Sequence, residues 1–124
     1  MPDQQYPAVP RSVRVAEEIQ RILSQIFLSE VQIPSAGMLT ITRVETSRDL
    51  RNANVYFSFL NPTAEEEIII AAVIRRRKQI RFHLGSRLGI KYVPQLRFHL
   101  DLAAKQSARI DEIIAELGSE ESLP

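Results

Sequence analysis

The chain has 124 residues, a net charge of +1 and no cysteine. That length suits one domain with a single modest core. The absence of cysteine excludes disulfides, thiolate metal sites and a thiol nucleophile. No stretch approaches the roughly 20 apolar residues that cross a bilayer, and the N-terminus MPDQQYPAVPR lacks the apolar core of a signal peptide.

Residues 1–10 carry Pro2, Pro7 and Pro10 without hydrophobic periodicity, and are read as an arm outside the domain. A helix is expected from Ser12, a suitable N-cap. Val15, Ile19, Ile22, Leu23, Ile26 and Phe27 form its apolar stripe, and it must end before Pro34. Met38–Thr46 reads as a strand whose alternation slips between Ile41 and Val44, so a bulge is expected near Thr42. Ala53–Leu60 alternates cleanly, with Val55, Phe57 and Phe59 on one face and Asn54, Tyr56 and Ser58 on the other. The short polar link SRDLRN makes an antiparallel hairpin of the two, with Asp49 capping its turn.

Thr63-Ala64-Glu65-Glu66 has the pattern of a capping box that would start a second helix. Ile68, Ile69, Ala72 and Val73, followed by Ile80, Leu84 and Leu88, carry that helix to Gly89. The middle of Thr63–Leu88 is Arg76-Arg77-Lys78, with no glycine there to ease a break, so one curved or weakly bent helix is expected. Val93-Pro94 forces extended backbone and leads into a third strand, Gln95–Asp101, with Leu96, Phe98 and Leu100 inward and Arg97 and His99 outward. A short last helix is expected from about Gln106 with Ile110, Ile113, Ile114 and Leu117 as its stripe, and residues 118–124 read as a tail. The order is helix, strand, strand, helix, strand, helix. It predicts one α+β domain over residues 11–117, with helices packed on one face of a three-stranded sheet.

Charge is distributed unevenly. No carboxylate occurs from Ile68 to Leu100, whereas Arg75, Arg76, Arg77, Lys78, Arg81, Arg87 and Lys91 fall inside that span. A run of cations is usually a solvated helix face. This one has no acid among its members, so local helix ion pairs do not account for it. A polyanion is the expected partner, with the heads of Arg75–Lys78 and Arg81 in water. Arg48 and Arg51 in the hairpin turn are candidates for further phosphate contacts. Tyr56 lies where it could meet a base, although covering the sheet is its ordinary use. His83 and His99 lack enough neighbouring donors for a metal site. Ser47-Arg48-Asp49 lacks a paired base, and no nucleophile–base pair or carboxylate cluster supports an enzyme. No catalysis, cofactor, metal or small-molecule substrate is expected. The competing non-enzymatic reading is a basic-helix adaptor that binds an acidic protein.

Four segments, RVAEEIQRIL (Arg14–Leu23), TSRDLRNANVYFSFL (Thr46–Leu60), VPQLRFHLD (Val93–Asp101) and SARIDEII (Ser107–Ile114), stand in an order and spacing that resembles bacterial ribosome-binding factor A. The resemblance runs from about Arg11 to Leu117. It implies a KH-like fold of the second topological type, in which the middle helix is a kinked helix pair. It also implies a cytoplasmic assembly factor, a monomer when free, that binds small (30S) subunit ribosomal RNA late in maturation. The family supports processing of that RNA's 5′ end and growth in the cold, and has no known enzymatic activity. KH domains place a GxxG loop between the paired helices to let a phosphate backbone approach. The family is expected to have Ala, any residue, Gly there, but the aligned positions here are Arg76, Arg77 and Lys78. Small residues are replaced by three cations, which favours charge contact over close backbone approach.

Overall fold

The computed structural model describes residues 9–121. The segments 1–8 and 122–124, which hold most of the expected arm and the end of the expected tail, lie outside the described residues.

The first helix, α1 (Arg11–Ser29), buries Ala16, Ile19, Ile22, Leu23, Ile26 and Phe27 along one stripe. It starts two residues earlier than its serine suggests. Pro10 is the N-cap, and its carbonyl accepts the amides of Val13 and Arg14. Ser12 is instead a helical residue whose carbonyl accepts the Thr46 hydroxyl at 2.7 Å, tying α1 to the sheet. A short 3₁₀ turn at Pro34–Ala36 leads to Gly37, whose φ of 66° and ψ of −117° suit glycine alone. A Cβ there would lie 2.2 Å from the Leu60 carbonyl oxygen.

Strands β1 (Met38–Thr46) and β2 (Asn52–Leu60) pair antiparallel, and β3 (Gln95–Leu100) joins β2 in parallel, giving the order β1-β2-β3. The register of β1 shifts between Ile41 and Arg43, which is the bulge expected at Thr42. It keeps both Ile41 and Val44 on the buried face. Ala53, Val55 and Phe57 of β2 and Leu96 of β3 complete the inner layer, while Phe59, Phe98 and Leu100 are half-buried at its margin.

Two expectations for the middle of the chain are corrected. Thr63 does not begin a helix. Its amide donates to the Ser35 carbonyl at 2.9 Å, so this stretch is tied to the 3₁₀ turn, and the helix waits for Glu65 as N-cap. The helix is also not continuous. α2 (Glu66–Arg75) and α3 (Arg77–Leu88) are separated by Arg76 at φ −88° and ψ 4°. That bridge conformation is open to any residue, so no glycine is required. The Arg76 amide bonds back to Val73 and its carbonyl accepts the Ile80 amide, so the backbone stays satisfied across the break. Packing is what divides the two: α2 lies chiefly against β3, whereas α3 lies chiefly against α1. Their buried residues, Ile69 and Val73 on α2 and Ile80, Leu84 and Leu88 on α3, meet in one core.

Gly89 ends α3 in the left-handed conformation at φ 65°, as expected. The last helix, α4 (Leu102–Glu121), begins earlier and runs later than the sequence pattern suggests. Asp101 supplies its start, accepting the Ala104 amide on its side chain and the Lys105 amide on its carbonyl. Its stripe does not join the core: Ile110, Ile113, Ile114 and Leu117 are all at least half exposed. The packed layer over the sheet is thus α1, α2 and α3, a KH-like α+β arrangement. Among the described residues no helix is long and apolar enough to cross a membrane.

Candidate nucleic-acid interface

The basic run is laid out around the break between α2 and α3. Arg75 closes α2, Arg76 forms the break, and Arg77 and Lys78 open α3; all four are exposed. A cleft of about 350 Å³ between the helices and β3 is lined by Ile74, Arg75, Arg77, Lys78, Arg81 and Gln95. A second, of about 370 Å³, shares Lys78 and Arg81 and continues past Phe82 to Lys91, Tyr92 and Val93. No carboxylate lines either cleft. The Gln95 amide donates to the Arg51 carbonyl at 2.8 Å. The end of the hairpin turn therefore sits beside the first cleft, and cations from the turn, the helix break and the α3–β3 connection share one end of the fold.

Not every cation of the run is alike. Arg81 is half-buried, and its guanidinium donates to the carbonyls of Pro94 at 3.0 Å and Val93 at 2.8 Å. Its head does not stay in water, contrary to expectation; it fastens the α3–β3 connection onto α3. Arg87 forms an ion pair with Glu30 at the end of α1, and His83 Nδ1 lies 2.5 Å from the same carboxylate. The run has no acid among its own members along the sequence, but the fold brings Glu30 in from α1. Among the run, Arg75, Arg76, Arg77, Lys78 and Lys91 are left facing solvent.

In the hairpin turn, Asp49 accepts the Ser47 hydroxyl at 2.7 Å and the Arg51 amide at 3.1 Å. These two bonds, the hydroxyl first, hold its carboxyl below the ordinary range. The turn is thereby set with Leu50 at φ 60°, and the side chains of Arg48 and Arg51 are exposed on it.

On the open face of the sheet, Arg43 lies 4.1 Å from the Tyr56 ring centroid and His99 lies 5.2 Å beyond, centroid to centroid. His99 Nε2 is 3.0 Å from Asn54 Oδ1. Tyr56 is half-buried in this row. Covered by a cation on one side and an imidazole on the other, it serves the sheet surface first.

Two residues of the interface escape a reading of the sequence. Phe82 and Tyr92 are 73% and 71% exposed although both are aromatic. The signal was present for Phe82, which stands two residues from Ile80 and so falls opposite the buried Ile80–Leu84–Leu88 stripe.

The family model for ribosome-binding factor A matches residues 11–114. The chain is 34% identical over 113 residues to ribosome-binding factor A of Syntrophobacter fumaroxidans, covering 90% of this chain and 97% of that protein. It is 36% identical over 113 residues to that of Alkalilimnicola ehrlichii, covering 90% and 87%. The crystal structure of ribosome-binding factor A from Thermus thermophilus superposes with a TM-score of 0.64 at 22% identity, covering 72% of this chain and 93% of that one. A homology model of the Thermus thermophilus factor, fitted into the cryo-electron-microscopy map of a 30S complex, gives 0.61 at 24% identity, covering 70% and 91%. On its sequence, over residues 11–114, this chain belongs to the ribosome-binding factor A family.

Proposed function

We propose that the protein is a small-subunit assembly factor that docks on ribosomal RNA through the cations around the α2–α3 break and performs no chemistry itself. The observation that carries this reading is the cluster of Arg75, Arg76, Arg77, Lys78 and Lys91, solvent-facing and without a carboxylate in the clefts between them. Such a surface attracts phosphate and releases counterions on contact. Arg48 and Arg51 of the hairpin turn extend it. The Thermus thermophilus relative fitted into a 30S complex supports the choice of polyanion. Action late in maturation, support of processing at the RNA's 5′ end, growth in the cold, a cytoplasmic site and a free monomer complete the reading. Residues 11–117 form its working domain.

The test is co-sedimentation with immature small subunits, with crosslinks mapped onto the RNA. Arg76→Glu with Lys78→Glu should abolish co-sedimentation while shifting stability by no more than about 0.5 kcal/mol per exposed site. Crosslinks should fall on the clefts around Lys78. A charge-reversed protein that melts normally and still co-sediments would show the run to be only a solvated face. Binding to a protein that survives ribonuclease treatment of naked lysate would favour the adaptor reading instead.

A further inference from the structure

Charge explains why a phosphate backbone would approach the α3 side of the molecule, but not why two large aromatic rings are left in water there. Single exposed apolar side chains are ordinary. Phe82 and Tyr92 differ in sharing one cleft, in being about three-quarters exposed, and in having Lys78, Arg81 and Lys91 as the remaining polar lining. The Lys91 ammonium stands 5.4 Å from the Tyr92 centroid, and the Phe82 ring meets His83 edge-on at 5.6 Å and 75°. Neither contact covers the rings.

The cleft is held in shape. Arg81 bonds the carbonyls of Val93 and Pro94, which fixes the segment carrying Tyr92 against the helix carrying Phe82. Gly85 lets that segment come close, since a Cβ there would lie 2.9 Å from Val93 Cγ2. Ile90 and Val93 pack against the core on either side of Tyr92, which itself points away from it. The two rings are therefore presented by anchored backbone, and little ordering is needed when something meets them.

We propose that Phe82 and Tyr92 form a base-stacking site for unpaired nucleotides of single-stranded RNA, with Lys78 and Lys91 holding the adjoining phosphates. The inference rests on the RNA-docking reading above and specifies the form of RNA it takes. The cationic lining selects a polyanion over an apolar peptide, which would bring no matching charge. The rings select bases whose faces are open, and a duplex hides those faces. Any base has such a face, so the site discriminates strandedness rather than sequence.

The test uses the full chain, a labelled oligoadenylate RNA and the same strand without bases, titrated by fluorescence anisotropy at several salt concentrations. Phe82→Ala and Tyr92→Ala should each weaken oligoadenylate binding by roughly five- to a hundredfold at every salt concentration, the range typical of one stacked base. The salt slope should stay the same. Tyr92→Phe should bind like the parent and Tyr92→Leu should not. The double alanine variant should no longer distinguish the strand with bases from the strand without. Thermal melts guard against misfolding, which exposure of both rings makes easy to avoid. Unchanged oligoadenylate affinity in the double variant, with Lys78→Gln still flattening the salt slope, overturns the stacking site and leaves RNA docking intact. Loss of small-subunit binding alone, with oligoadenylate affinity kept, also overturns it, because the rings then meet a protein. A parent chain that binds neither strand nor small subunits brings down the docking reading itself.

Discussion

Three arginines with the same side chain do different work here, and the difference is set by what lies within reach. Arg76 is exposed at the helix break and forms no ion pair among the described residues. Arg87 meets Glu30. Arg81 donates to two backbone carbonyls in a half-buried setting. Hydrogen bonds from a charged donor contribute about 1.5–3 kcal/mol, and the carbonyls left behind lose their partner. Arg81→Gln should therefore destabilise the protein by about 1.5–3 kcal/mol in urea melts, whereas Arg76→Gln should change stability by less than about 0.5 kcal/mol. Equal melts for the two variants would show the Arg81 bonds to be incidental. A charge-reversal experiment that includes Arg81 would confuse folding with binding; the informative set is Arg76, Arg77 and Lys78.

At the scale of elements, Asp101 links β3 to α4. Its amide donates to the Phe57 carbonyl, its carboxylate accepts the Thr42 hydroxyl at 2.6 Å, and the other oxygen accepts the Ala104 amide. The Thr42 bond first, then the amide, hold the carboxyl below its ordinary range. The folded value is depressed, so the contribution is present above the unfolded value and lost as pH falls through the folded one. That window lies below about pH 4, the ordinary value for an aspartate. Acid titration of stability should show a loss there that Asp101→Asn lacks, and the variant should be less stable at neutral pH. Parallel acid curves for the two proteins would dismiss the linkage. This cap also explains one misreading. Apolar periodicity locates the middle of α4, but its start is fixed by an aspartate whose partners come from β1 and from the helix itself. The hairpin, the bulge and α1 were legible because period-two and period-3.6 patterns are local. The break at Arg76 was not, because nothing in that residue asks for a bend and the different packing partners of α2 and α3 impose it. The failed capping box at Thr63 has the same cause, an amide claimed by Ser35 from across the fold. In the candidate site the cations were legible as a run, but Glu30 and the Pro94 carbonyl, which engage two of them, were not neighbours in sequence.

For the molecule as a whole, the charges that matter for docking are those the fold leaves unmatched. Sequence alone places Arg87 with the others. The fold sets its charge against Glu30, which also faces His83. A cation already neutralised releases fewer counterions from RNA, so it contributes less to the dependence of affinity on salt. With about five phosphates met by the open cations, binding to single-stranded RNA should have a log–log salt slope of roughly −3 to −4, from about −0.7 per phosphate. Lys78→Gln and Arg76→Gln should each flatten that slope by up to about 0.7. Arg87→Gln should leave it unchanged. Glu30→Gln should steepen it or leave it equal, never flatten it, since it removes an anion and frees Arg87. The four slopes can be read from one anisotropy series. If Arg87→Gln flattens the slope as much as Lys78→Gln does, the ion pair with Glu30 opens on RNA, and the contact surface must extend along α3 toward the end of α1.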